Sequence, residues 1–132
     1  MRNGFALGVA LDACLAASGA TIADVDLVDV YSCFPVVPKL VALHLGPPRE
    51  APLSVTGGHS SFGGPLTSYS LHALATTVER LRPGGGTGLV HANGGYLTCQ
   101  HALVVETATV EHDRAGSPAQ AFVVTRTAGR AA

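Results

Sequence analysis

Apolar and polar positions along this chain fall into segments of helical and strand period. From Phe5 to Ala17 the sequence is dense in Ala and Leu, which favours a helix, and Gly19 marks its stop. Thr21-Ile22-Ala23-Asp24 has the spacing of a capping box and predicts a short helical turn. Asp26 to Tyr31, with Val25, Leu27, Val28 and Val30 crowded together, predicts a strand. Ser32-Cys33-Phe34-Pro35 then leads into a second helix running to about Leu45. Pro35 is tolerated in a first turn, Pro38 leaves the start open, and Gly46-Pro47-Pro48 ends it. Leu53 to Val55 predicts a short strand before the Gly-rich stretch GGHSSFGGPL. Between Thr67 and Arg82, Leu71, Leu74, Ala75, Val78 and Leu81 recur at helical spacing, and Pro83-Gly84-Gly85-Gly86 is a clean break. Gly88 to His91, Cys99 to Val110 and Ala119 to Thr127 predict strands, the last two joined by the turn-rich Asp113 to Pro118.

Helices alternating with strands, then a β-rich C-terminal end, define an α/β class with helices packed on a sheet. A handful of strands is thin support for three apolar helices, so further sheet or a partner layer is expected to cover them. The 132 residues fit one domain with its own core. Hydrophobic residues make up 47% and charged residues only 13%, which excludes a disordered chain and leaves apolar surface for a partner. A net charge of -1 with no basic run gives no footprint for nucleic acid. No apolar run reaches the roughly 20 residues of a bilayer span, so no membrane insertion is expected. The first twenty residues have some marks of a signal peptide, but Asp12 interrupts their apolar stretch. Cys14, Cys33 and Cys99 are an odd set without paired spacing, which suits a reducing, cytoplasmic location.

Cys33 is predicted where a strand ends and a helix begins. Such a place favours thiolate and lies at the ligand-binding edge of open α/β sheets, whereas a buried structural cysteine is the plainer alternative. Cys14 and Cys99 fall within regular elements and read as structural. Six histidines show no metalloprotease spacing and no cysteine pair to complete a zinc site, so no metal is expected. His91 and His101 flank a Gly-Gly turn and could meet in space, but two ligands do not make a site. Ser60 and Ser61 lack a Gly-x-Ser-x-Gly elbow. GGHSSFGGP precedes a helix, and its glycines would let backbone N–H groups approach an oxyanion or phosphate; a plain connecting loop is the alternative.

Three ordered segments, VDVYSCFP, TGGHSSFGGPLTSYSLHALATTVERL and GLVHANGGYLTCQHALVV, resemble the C-terminal half of thiolase-superfamily proteins. The resemblance is to the sterol-carrier-protein-type branch, often described as acetyl-CoA acetyltransferase, and runs from about Phe5 to Glu106. It implies a thiolase-like half-domain over residues 1–110, with a mixed sheet and helices packed on it. Residues 111–132 would be a β-hairpin tail resembling the start of an additional β-domain. In the family the nucleophilic cysteine belongs to the first half, which has no counterpart in these residues. The second half supplies an oxyanion hole, a histidine and an acid/base cysteine.

Tyr31-Ser32-Cys33-Phe34 matches the family's Asn-Glu-Ala-Phe loop, which is His-Asp-Cys-Phe in the sterol-carrier-protein branch. The resemblance therefore implies an acid/base role for Cys33. The quoted Gly-rich stretch aligns with a pattern Gly-Gly-x-x-x-x-Gly-His-Pro-Leu. Gly64 then stands at the histidine position and His59 at an ordinary loop position near the pocket. His91-Ala92-Asn93-Gly94-Gly95-Tyr96 covers the Cys-x-Gly motif, with Asn93 nearest the cysteine. Both usual titratable groups are thus replaced, and an amide cannot move a proton at neutral pH. Cys33 would act with help from Tyr31 or Tyr96, while Gly63, Gly64, Asn93, Gly94, Gly95 and His59 would line the substrate. The three loops are expected to meet at one rim of the sheet.

The resemblance implies an acyltransferase half acting on acyl-CoA thioesters, with coenzyme A as substrate carrier and no further cofactor. Its partner would be an N-terminal thiolase half or a homologous subunit, without which the chain would be inactive. The alternatives are retro-aldol cleavage of β-hydroxyacyl-CoA with a partner protein, where tyrosines exchange the hydroxyl proton, and a non-catalytic acyl-CoA-binding subunit or truncated fragment.

Overall fold

Burial of Leu7, Ala10, Leu11 and Cys14 along one stripe makes the N-terminal segment a sheet-covering helix, α1, Ala6–Ser18. The structure, a computed structural model, describes residues 6–46, 52–111 and 118–130, with side chains through residue 107. Pro47-Pro48 and most of the predicted connection before Pro118 lie outside the described residues. After α1 come β1 (Leu27–Val30), α2 (Val36–Leu45), α3 (Tyr69–Leu81), β2 (Thr87–Gly94), β3 (Cys99–Glu111) and β4 (Pro118–Arg130). The capping-box prediction corresponds to a 3₁₀ turn, Ile22–Asp24. There the Thr21 amide and hydroxyl both donate to Asp24 Oδ2 at 2.7 Å, and these bonds hold that carboxyl below its usual range.

The four strands form one mixed sheet in the order β1-β2-β3-β4. β1 and β2 are parallel, with Leu27 opposite Gly88 and Val30 opposite His91. β2–β3 and β3–β4 are antiparallel, and β4 pairs with β3 along its whole length. On one face Val28, Val30, Leu89, Ala102 and Val104 pack with Leu7, Leu11 and Cys14 of α1 and Val37 and Val41 of α2. On the other, Tyr31 and Val90 meet Tyr69 and Ala73 of α3, with Cys33 and Leu103 at the margin. Since α2 and α3 cover opposite faces, the chain between them crosses the end of the parallel strands. That crossing carries the Gly-rich stretch to the rim.

One expectation is corrected, and two points that the sequence leaves open are defined. Pro38 does not delay α2: it lies in the first turn, where its missing N–H has no intrahelical partner to lose. Leu53–Val55 is not a strand. Leu53 O accepts the Val30 amide at 3.0 Å, but the Val55 and Thr56 amides turn to Asp29 Oδ2, at 2.9 and 3.2 Å. A carboxyl group thus takes the donors that a neighbouring strand would have taken. The inward face of α3 is Tyr69, Ala73, Thr77 and Leu81, whereas Leu71 is 69% exposed. The middle of that face, Ala73 and Thr77, is small because Thr77 lies directly against Gly88, where any Cβ would collide with its methyl group.

Candidate active site

The rim at the C-terminal ends of β1 and β2 gathers the residues singled out in sequence. Just past β1, Cys33 occupies the loop before α2, partly exposed. Asn93, at the end of β2, donates from Nδ2 to Cys33 Sγ at 3.4 Å. The same nitrogen donates to Gly95 O at 3.0 Å. Gly95 has φ +62° in the turn to β3, and a Cβ there would press against Thr98 Oγ1.

The crossing loop joins the same rim through Ser32 and His59. The His59 amide donates to Ser32 Oγ at 2.7 Å, a bond spanning 27 positions. Gly58 allows this approach: its φ is +95°, and a Cβ there would lie 3.0 Å from that hydroxyl. The His59 ring stands 5.1 Å from Tyr31 and 5.3 Å from Tyr69, centroid to centroid. Its Nδ1 is buried without a hydrogen-bond partner among the described residues. A side chain starting at Gly64 would set out 4.0 Å from His59 Nε2. The imidazole therefore stands beside the position at which the family pattern has histidine, although the sequence match places His59 elsewhere in the loop.

The remaining candidates are placed less favourably for chemistry. Tyr31 is almost fully buried, and its hydroxyl donates to Leu66 O at 3.3 Å. Burial, and then the nearby Cys33, push its phenol up, so it keeps its proton at neutral pH. Tyr96 is 66% exposed and rests edge-on against Phe34, with ring centroids 5.1 Å apart. The Gly63 and Gly64 amides donate inside their own loop, to Ser60 O at 3.4 Å and His59 O at 2.9 Å. In this geometry they are not turned toward a ligand. Gly94 and Gly95 flank the Asn93–Cys33 contact. His91 and His101 do not meet: they pair with Ala102 and Ala92 and so point to opposite faces of the sheet. Among the described residues no group of three His, Cys, Asp or Glu side chains could hold a metal ion. None of the three cysteines is in a disulfide.

Two polar networks behind the rim had no place in the motif reading. On one face, Asp29, fully buried on β1, accepts at Oδ2 from Ser54 Oγ, the Val55 and Thr56 amides and Thr56 Oγ1, all at 2.9–3.2 Å. Since Thr56 Oγ1 donates to Asp29, the Tyr69 hydroxyl donates to Thr56 Oγ1, at 2.6 Å. Burial pushes the Tyr69 phenol up, which keeps it a donor. On the other face, buried His91 contacts Gln100 Oε1 through Nε2 at 2.7 Å, and Gln100 Nε2 donates to Asn93 Oδ1 at 2.5 Å. The signal for this second row was strand alternation: His91 and Asn93 are polar positions on the inner face of an otherwise apolar strand.

Burial lowers the His91 pKa from 6.5, its hydrogen bond to Gln100 opposing the shift only in part. The unfolded chain would take up this proton near pH 6.5 and the folded chain only at lower pH. His91 therefore contributes its full stability above about pH 6.5 and loses it as pH falls below. NMR titration should show the His91 ring still neutral at a pH where exposed histidines are half protonated.

These features define a thiolase-like α/β fold with its candidate site at the end of the parallel strand pair. A solved structure shares it: a monomeric SCP2-thiolase like protein type 1 from Mycobacterium smegmatis superposes with a TM-score of 0.59 at 22% identity. The match covers 87% of this chain and 37% of that one, so this chain spans well under half of the neighbour's length. No family model matches the sequence, and no curated protein matches it either. Among the described residues no helix is long and apolar enough to cross a membrane.

Proposed function

We propose that this chain forms the C-terminal half of a thiolase-like acyltransferase site acting on acyl-CoA thioesters, in a reducing, cytoplasmic setting. A first half, supplied as further sequence or as a separate subunit, would carry the nucleophilic cysteine. The observation that carries this reading is the Cys33–Asn93 contact at the rim of a thiolase-like fold. Cys33 is the proton carrier: its sulfur takes the proton from the carbon beside the thioester carbonyl, and returns it in the reverse direction. The asparagine amide orients that sulfur, and His59, between two tyrosine rings, lines the pocket beside it. Coenzyme A is the substrate carrier, with no other cofactor required by this chemistry. Mixing the chain with a nucleophile-bearing first-half polypeptide and following thioester cleavage tests the proposal: activity should require both polypeptides.

A second reading is a non-catalytic acyl-CoA-binding subunit. It is favoured by the Gly63 and Gly64 amides, which donate within their own loop rather than toward a substrate oxyanion. It predicts acyl-CoA affinity that persists in Cys33→Ala, with no turnover under any pairing. The retro-aldolase reading needs a phenol free to exchange a proton: the Tyr31 hydroxyl is held by the Leu66 carbonyl, which leaves the exposed Tyr96 to serve.

A further inference from the structure

The four side chains His91, Gln100, Asn93 and Cys33 form a row whose hydrogen-bond direction is fixed from its rim end. At the rim, Gly95 O can only accept, so the Asn93 group facing it at 3.0 Å must be the NH₂. The same NH₂ then faces Cys33 Sγ, and Asn93 Oδ1 faces inward. That oxygen needs a donor, which Gln100 Nε2 provides at 2.5 Å. Gln100 consequently presents Oε1 to His91, whose Nε2 must carry a hydrogen to meet it at 2.7 Å. Gln100 and His91 are both fully buried, so neither can exchange this partner for water. Reversing any one amide would set acceptor against acceptor or donor against donor along the row.

From this arrangement we propose that His91 and Gln100 are positioning residues that hold the Asn93 amide N–H on Cys33 Sγ, fixing that sulfur as a hydrogen-bond acceptor. A sulfur that accepts a hydrogen bond gains more from it as thiolate than as thiol, because the bond becomes charge-assisted. The row moves no proton itself. Its role is to make Cys33 ready to receive one, and so it rests on the reading of Cys33 as the base.

The test needs no thioester, so it can fail or succeed apart from that reading. The rate at which iodoacetamide alkylates Cys33, resolved by peptide mass spectrometry across a pH series, gives the midpoint of thiolate formation. Gln100→Met and Asn93→Ala should each raise that midpoint by about one pH unit, the scale of one charge-assisted hydrogen bond. Asn93 is only partly buried, so Asn93→Asp offers a variant with little folding risk. It puts an acceptor against the sulfur and should raise the midpoint at least as far. NMR of the unaltered chain adds a second readout: the side-chain amide signals of Asn93 and Gln100 should both follow the Cys33 midpoint. Midpoints unchanged in folded Gln100→Met, or Gln100 signals indifferent to Cys33 ionisation, would overturn the proposal.

Discussion

Asp29→Ala is expected to lower the stability of the chain by about 3–5 kcal/mol, the cost of breaking a buried polar network from its centre. One carboxyl oxygen receives four hydrogen bonds from three consecutive residues, Ser54, Val55 and Thr56. Without it, the Val55 amide is left buried with no partner, and the Thr56 hydroxyl loses the acceptor that aligns it toward Tyr69. Each unpaired group costs about 1–3 kcal/mol. The crossing segment is also held to β1 by the Val30–Leu53 backbone bond, so it should loosen rather than detach. A urea unfolding series checks this, with the midpoint falling and the slope unchanged. Asp29→Asn should cost less, since its amide oxygen can still accept. A loss under 1 kcal/mol for Asp29→Ala would mean that the network is not what anchors the loop.

Cys33→Ala should reduce thioester turnover by about 10²–10⁴-fold in the reconstituted two-part enzyme, the usual contribution of a positioned acid/base group. Acyl-CoA affinity should change by only a few-fold, because the lost group acts on the proton and not on the carrier. The effect would therefore appear in kcat with little change in KM. Tyr96→Phe and Tyr31→Phe should have far smaller effects on turnover: one phenol is exposed and rests edge-on against Phe34, and the other is committed to a backbone carbonyl. If Cys33→Ala kept full turnover, another group would be the base. His59, with its buried and unpartnered Nδ1, would be the first to examine.

The sequence carried the strands and helices well where composition and period agreed. Helix α1, strand β1 and the three later strands stand within a few residues of their expected limits. It failed where a single buried side chain replaced a regular element. Residues 53–55 have strand composition, but Asp29 captures the amides of Val55 and Thr56, and that capture depends on a residue more than twenty positions away. The spacing of Leu71, Leu74, Val78 and Leu81 marks α3 as a helix but not its inward face, Tyr69, Ala73, Thr77 and Leu81, whose small members suit the close approach at Gly88. At the rim, the convergence of Cys33 and Asn93 was legible from ordered motifs at the ends of two adjacent strands. The supporting row was not, since Gln100 reaches Asn93 only through the antiparallel register of β2 and β3. His59 illustrates a third limit. Linear alignment separates it from position 64, yet the turn of the loop carries its ring back beside that residue.

Titrating acetyl-CoA into the isotopically labelled chain would test most directly whether this rim receives an acyl thioester. Saturable NMR shifts are expected at Ser32 to Phe34, Gly58 to Gly64 and Asn93 to Gly95, with free coenzyme A producing weaker changes near Cys33. Shifts confined to the α1 side of the sheet, or none at millimolar ligand, would contradict binding at this rim.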